Sequence, residues 1–171
     1  INYSDEQRKE DDLIPFSINE FKNSIDIDEV HGEESYSTQE RRSIRPCLDV
    51  NGIWGGYTDE GSKTVIPSKA FAKISMRLVS NQNSKEISQL FIDHMKNITP
   101  AGMKIKINEH HGGEPYITST NSHAYLAASQ AYESVFNKKP FAVKDGGSIP
   151  IIAQFEKILG VKTILMGFGL D

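Results

Sequence analysis

The clearest pattern in the chain is a strict alternation of side chains between residues 68 and 79. Apolar residues occupy every second position, at Ala70, Ala72, Ile74, Met76 and Leu78. The positions between them are Lys69, Phe71, Lys73, Ser75 and Arg77. Because successive side chains of a strand point to opposite faces, the alternation predicts a half-buried antiparallel strand with Arg77 on its polar face.

A helix with one apolar stripe is predicted directly after this strand, over residues 83–98. Asn83 and Glu86 supply a capping signal at its start. The apolar residues then recur at helical spacing, at Ile87, Leu90, Phe91, Met95 and Ile98. This stripe is expected to cover the apolar face of the strand.

Two more strands are predicted around this pair, at 48–54 and at 103–107. Residues 46–117 therefore read as strand, strand, helix, strand. This order predicts the α+β class, with a small antiparallel sheet that has helices on one face.

The pattern changes near residue 118. A helix at 122–136, a strand at 141–143, a helix at 148–159 and a strand at 162–166 follow one another. Alternating helices and strands are typical of an α/β fold. We therefore predict a boundary at about residue 118 and a separate α/β unit over 118–171.

Residues 1–45 form a polar, acidic N-terminal segment with one short predicted helix. Ser17 and Glu20 have the spacing of a capping box at its start. The stretch 31–42 is charged and lacks apolar periodicity, so it is expected to be an exposed loop.

Charge and composition exclude several function classes. The 171 residues carry a net charge of −4 and form no basic stripe, so nucleic acid is not an expected partner. No apolar run approaches the roughly 18 residues that span a bilayer, so no membrane association is expected. Cys47 is the single cysteine, which rules out an internal disulfide and favours a reducing, cytoplasmic location. A small buried apolar role is expected for it.

Three consecutive residues, Gly146, Gly147 and Ser148, lie where a strand is predicted to lead into a helix. The glycines allow close approach of a ligand to the backbone, and Ser148 is placed as the helix N-cap. Such a terminus is a potential backbone site for an anion, although Ser148 could equally be a cap without a ligand.

Arg77 and Thr64 are the other candidate binding residues. The planar fork of Arg77 suits a bidentate contact with a substrate carboxylate, whereas the alternative is an arginine in a surface ion pair. Thr64 could contact a ligand or could simply begin an extended apolar run.

The histidines do not form a recognisable metal motif. His110 and His111 are adjacent in an extended stretch, so they point to opposite faces and cannot both bind one ion. Their expected place is the surface or a turn. No metal ligand and no catalytic residue is assigned within the sequence.

An ordered set of segments resembles the carnosinase-type zinc dipeptidases of the aminoacylase-like metallopeptidase family. The segments are Gly52-Ile-Trp-Gly-Gly56, Lys63-Thr-Val-Ile-Pro67, Lys73-Ile-Ser-Met-Arg-Leu-Val79, His111-Gly-Gly-Glu-Pro115 and Asp145-Gly-Gly-Ser-Ile-Pro150. The resemblance covers roughly residues 46–171. It implies that 46–117 is an incomplete ferredoxin-like lid, or dimerisation, domain, and that 118–171 is a C-terminal fragment of the catalytic α/β domain.

The resemblance also implies roles for individual residues. Thr64 and Arg77 would contact the substrate from the lid, and Ser148 from the catalytic domain. The lid would form a homodimer, with the strand 68–79 and the helix 83–98 in its two-fold interface. The substrate of the full enzyme would be a dipeptide or an N-acyl amino acid. Two zinc ions would activate a water molecule in the full enzyme.

No His-x-Asp segment, with which the family's metal site begins, occurs in the sequence. The resemblance therefore places most metal ligands and the general base upstream of Ile1, and a final histidine ligand just past Asp171. We expect this chain alone to bind no zinc pair and to hydrolyse no dipeptide. The competing interpretation is a stand-alone, non-catalytic α+β module for dimerisation or small-ligand binding.

Overall fold

A computed structural model describes residues 4–145 and 149–167 of the chain. Within these ranges the protein forms six α-helices and one two-stranded antiparallel sheet. In chain order the elements are α1 (Asp5–Asp11), α2 (Ile18–Ser24), α3 (Thr38–Ser43), β1 (Cys47–Gly55), β2 (Ala70–Arg77), α4 (Ser84–Ile98), α5 (His123–Phe136) and α6 (Pro150–Leu159). The helices together with the antiparallel sheet confirm the predicted α+β class.

The two strands form an antiparallel hairpin, and a long connection links them. β1 and β2 pair from Cys47 opposite Arg77 to Gly55 opposite Ala70. They confirm the strands predicted at 48–54 and 68–79. Asn51 has no Cα partner on β2, so a bulge interrupts the register between Val50 and Gly52.

The bulge decides which side chains share a face. Cross-strand partners lie on the same side of a sheet. The apolar face of the hairpin therefore carries Leu48, Val50, Ile53, Ala70, Ala72, Ile74 and Met76, and its polar face carries Cys47, Asp49, Trp54, Phe71, Lys73, Ser75 and Arg77. One extra residue reverses the alternation of β1, which places Ile53 on the apolar face and Trp54 opposite Phe71.

Helix α4 confirms the helix predicted at 83–98. The side chain of Asn83 caps it by accepting hydrogen bonds from the amides of Lys85 (3.1 Å) and Glu86 (3.2 Å). Ile87 lines a cavity together with Leu48, Met76 and Leu78, so the first turn of α4 lies beside the apolar face. Farther along the same stripe, the side chain of Leu90 is 65% exposed.

The strand predicted at 103–107 is not formed. No described segment is hydrogen-bonded to these residues as a strand. The chain nevertheless returns along α4, because Glu114 accepts hydrogen bonds from the amide (3.2 Å) and hydroxyl (2.6 Å) of Ser84 at the start of that helix. Alternation had indicated an extended, half-covered segment, but it cannot show whether a partner strand is present.

The second part of the chain contains its predicted helices but not its predicted strands. α5 and α6 confirm the helices at 122–136 and 148–159, whereas 141–143 and 162–166 form no strand. α6 begins at Pro150 with Ile149 as N-cap, so the prediction that Ser148 caps it is wrong. Proline is favoured in the first helical position, where its missing N–H has no partner to lose.

The N-terminal segment is more regular than predicted. The predicted helix near residue 17 is α2, but 31–42 is not all loop, because α3 begins at Thr38. Glu40 is buried, and its carboxylate accepts from the amide of Ser37 (2.7 Å) and from Arg8. The ring of Tyr36 lies against the guanidinium groups of Arg8 and Arg45.

The described residues bury little apolar surface. Ile44 and Ile152 are the buried apolar side chains within 4–145 and 149–167. The accessible surface is 14194 Å², whereas a compact monomer of 19.1 kDa exposes roughly 8,400 Å². A large part of the surface that a compact protein would bury is therefore exposed to solvent in this chain. No helix in the described part is long and apolar enough to cross a membrane.

Candidate substrate-binding site

Arg77 ends β2 on the polar face of the hairpin. Its Nε lies 3.9 Å from Oδ2 of Asp49, and the two side chains are 51% and 48% exposed. Asp49 pairs with Ser75, so it reaches Arg77 along the diagonal of the ladder. The guanidinium is accordingly held at the surface beside one carboxylate, where a solute can approach it.

Cys47 lies directly opposite Arg77 and is exposed, which corrects the expectation of a buried cysteine. Its Sγ is 3.6 Å from Oδ2 of Asp49. Loss of hydration at the sulfur, followed by the negative charge of Asp49, raises the pKa of the Cys47 thiol. The thiol is therefore kept neutral, and it adds no negative charge beside Arg77.

An aromatic pair occupies the other end of the polar face. The rings of Trp54 and Phe71 stack with centroids 5.1 Å apart and planes at 10°. The amine of Lys73 lies 5.9 Å from the Trp54 ring. The sequence alone did not predict this pair, although the glycine within Asn51-Gly52 is a recognised sign of a bulge inside a strand.

Thr64 lies in the connection between the strands and is exposed. Its neighbours Val65 and Pro67 line the same groove as Trp54 and Phe71, so this loop stays at the turn end of the hairpin. Phe71 lies six positions before Arg77, which at the rise of a strand is a distance of about 20 Å. The structure therefore does not bring Thr64 and Arg77 of one chain together.

Two glycines bring the starts of α4 and α6 close to each other. A Cβ on Gly112 would come within 2.9 Å of the Ser84 side chain, and one on Gly113 within 2.8 Å of Pro150. Consecutive Cα atoms are only about 3.8 Å apart, so the two helices begin side by side. The end of the hairpin that carries Arg77 leads into one of them, and the chain after residue 148 leads into the other.

Gly146, Gly147 and Ser148 themselves lie outside the described residues. Just before them, Lys144 donates to the buried carboxylate of Asp11 (2.9 Å), which ties this stretch to the N-terminal segment. No group of three or more His, Cys, Asp or Glu that could hold a metal ion occurs in the described ranges. His110 and His111 are both exposed there.

The fold and this surface agree with a known class of protein. The model of the family described as a peptidase dimerisation domain matches residues 17–103. This match covers half of the chain, including the hairpin and α4. The chain belongs to this family of peptidase dimerisation domains.

Three known proteins illustrate the relationship. The Cys-Gly metallodipeptidase DUG1 of Candida albicans is 32% identical over 94% of this chain and 34% of its own length. The human Beta-Ala-His dipeptidase is 28% identical over 91% of this chain and 31% of its own length. The crystal structure of the M20 family metallo-carboxypeptidase Sso-CP2 from Sulfolobus solfataricus superposes with a TM-score of 0.80 and 28% identity, over 95% of this chain and 36% of that one.

Two of these relatives are named as dipeptidases, the first of them as a metallodipeptidase, which confirms the predicted resemblance to that class. The chain spans about a third of the length of the curated relatives that it matches.

Proposed function

We propose that the chain is part of a zinc-dependent, dipeptidase-like amidohydrolase, in which it supplies dimer contacts and substrate-binding residues. The observation that carries this proposal is the place of Arg77, which lies exposed on the polar face at the end of the hairpin nearest to α6. Membership of the dimerisation-domain family and the similarity to dipeptidases support it. No observation favours a stand-alone module over this function.

Arg77 binds the substrate carboxylate in this proposal. Its planar fork can donate two parallel hydrogen bonds to a carboxylate, which fixes both the position and the orientation of a dipeptide. Ser148, with the backbone of Gly146 and Gly147, contacts the same end of the substrate. Arg77 precedes α4 in the chain, and residues 146–148 precede α6. These two helices begin side by side at Gly112 and Gly113, which supports the pairing.

In this proposal Thr64 belongs to the substrate site of the other subunit, and not to the site that contains Arg77 of its own chain. Since about 20 Å separates the turn end of the hairpin from Arg77, one substrate of dipeptide size cannot contact both residues of the same chain. In a two-fold homodimer, the connection 56–69 of one subunit reaches the site that contains Arg77 of the other. The exposed apolar residues of this loop, with Ile66 95% exposed, give it a surface to bury there.

In this proposal two zinc ions serve the complete enzyme. As the resemblance implies, most of their ligands would lie elsewhere in the longer protein. This chain's own contribution is to position the substrate. A cytoplasmic location is proposed on the lone Cys47.

The proposed function predicts a metal-dependent activity that requires a free carboxylate. We expect the complete protein to hydrolyse Cys-Gly and β-Ala-His dipeptides, to lose activity on chelation and to regain it with zinc. The same dipeptides with an amidated C-terminus should be hydrolysed at least about 10-fold less efficiently, because Arg77 then lacks its anion. Zinc-loaded protein that hydrolyses none of these substrates would contradict the proposed function.

A further inference from the structure

A buried ion pair joins the chain that precedes the dimerisation domain to the chain that follows it. The amine of Lys144 lies 2.9 Å from Oδ1 of Asp11, a residue 133 positions earlier. The side chains of Lys144 and Asp11 are 24% and 11% exposed. Because charged groups lose hydration on burial, such a pair is weak evidence for a gain in stability. It does supply direction, since a charge-assisted hydrogen bond fixes the place of both partners.

Asp11 is itself held in place by contacts between α1 and α3. Its backbone carbonyl accepts a hydrogen bond from the side-chain amide of Gln39 (3.2 Å). One turn earlier in α1, Arg8 donates to the buried carboxylate of Glu40. Residues 8 and 11 are three positions apart, so they lie on the same face of the helix. Asp11 therefore offers Lys144 a partner whose position is fixed.

The chain on the far side of residues 146–148 is fixed as well. A Cβ on Gly113 would come within 2.8 Å of Pro150, the first residue of α6. Ile152, in the first turn of the same helix, is buried. Contacts at residues 144 and 150 thus hold the chain on both sides of the segment that the proposed function assigns to the substrate.

We propose that Asp11 and Lys144 are positioning residues for the binding of the substrate. Their ion pair fixes the chain two residues before Gly146, where the segment proposed to contact the substrate carboxylate begins. Neither residue needs to touch the substrate. This inference rests on the proposed function, in which Ser148 is a substrate contact. It follows from the sensitivity of binding sites to position, because a displacement of about 1 Å can reduce activity by about 100-fold.

The double substitution of Asp11→Leu with Lys144→Met in the complete protein tests the proposal. It replaces the ion pair by apolar side chains of similar size, so no charge is left buried alone and the protein should stay folded. We expect KM for Cys-Gly to rise by about 10-fold while kcat stays within about 2-fold. The reason is that a contact made equally in the ground state and the transition state is weakened.

Two single variants separate the charge of Lys144 from its size. Lys144→Arg keeps a charged donor for Asp11 and should keep KM within about 3-fold of the parent value. Lys144→Gln keeps a donor without the charge, so KM should rise in the same direction as in the double variant. Chemical denaturation of each variant verifies that it is folded.

Lys162→Met is the matched control, because it removes another lysine ion pair, with Glu156 of α6. Lys162 follows the end of this helix, which lies about 15 Å from its start. KM should stay within about 2-fold of the parent value.

An unchanged KM in the folded double variant and in Lys144→Gln would overturn the positioning role, and a loss of stability alone would show that the pair is structural. Either result would leave the proposed function intact, since the parent protein would still hydrolyse Cys-Gly. A zinc-loaded parent protein that hydrolyses no dipeptide would contradict the proposed function itself, and this inference with it.

Discussion

At the scale of single residues, the position of Arg77 is set by strand alternation and not by tight packing. Its ion pair with Asp49 is long, at 3.9 Å, and both side chains are about half exposed. Exposed pairs of this kind contribute about 0–1 kcal/mol. This ion pair therefore contributes little to the stability of the fold, and the role proposed for Arg77 is in binding the substrate.

The substitution Arg77→Ala should separate these two roles in the complete protein. We expect a change in unfolding free energy within roughly 0.5 kcal/mol, as for an exposed site. Catalytic efficiency should fall by an amount equivalent to about 2–4 kcal/mol of transition-state stabilisation, because a clamp on a charged group is lost. Thermal unfolding and kcat/KM are the two measurements.

Lys73→Ala is the matched control, since Lys73 is an exposed cation on the same strand and the same face. It should leave kcat/KM within about 3-fold of the parent value, because it lies about 13 Å from Arg77 along the strand. A large loss of thermal stability in Arg77→Ala with unchanged kcat/KM would show instead that Arg77 is a structural ion-pair residue.

Which residues could be predicted depends on how local their signal is. The side of the strand on which Arg77 lies follows from a period of two, and the cap at Asn83 follows from a short motif. Glu40 was missed although Ser37 and Glu40 have the spacing of a capping box. Its bond to Arg8 joins positions 32 residues apart and has no signal in the local sequence.

At the scale of elements, the structure distinguishes an extended segment from a strand. Residues 70–77 and 103–107 alternate equally well, yet among the described residues only the first segment is hydrogen-bonded to a neighbouring strand. Periodicity reports which side of a segment is covered and does not report what covers it. The bulge at Asn51 was unforeseen for a related reason, because it is defined by its partner strand.

A substitution on the apolar face of the hairpin tests whether the complete protein covers this face. Ile53 is 78% exposed in this chain. If the rest of the protein covers this face, Ile53→Glu should lower the unfolding free energy by about 3 kcal/mol or more, because a charge would be buried without a partner. Chemical denaturation of the complete protein measures the change.

Asn51→Glu is the matched control, because Asn51 is an exposed bulge residue of the same strand. It should change the unfolding free energy by no more than roughly 0.5 kcal/mol. Equal, small effects of the two glutamates would mean that the apolar face is open to water in the complete protein too.

At the scale of the whole molecule, the chain superposes on its relatives but exposes more surface than a compact monomer of its mass. It superposes on 95% of its length with a TM-score of 0.80 on a protein of which it covers 36%. Its surface is roughly 1.7 times that of a compact monomer of its mass. The resemblance seen in the sequence predicted a part of a larger enzyme. The large exposed surface agrees with that prediction.

Because Thr64 and Arg77 of one chain lie far apart, the proposed substrate site requires two subunits. In the proposed function, each substrate site would take Arg77 from one chain and Thr64 from the other. A hybrid dimer of Arg77→Ala and Thr64→Ala subunits would then have one site with both defects and one site with neither. Either variant alone would have two defective sites.

The activity of such hybrid dimers tests most directly whether each substrate site is shared between two subunits. The complete enzyme with either substitution should lose most of its dipeptidase activity. After co-expression or subunit exchange, half of the dimers are hybrids, so the mixture should recover about a quarter of the parent activity. A mixture that stays as inactive as its two components, with hybrid dimers verified by mass spectrometry, would contradict the account.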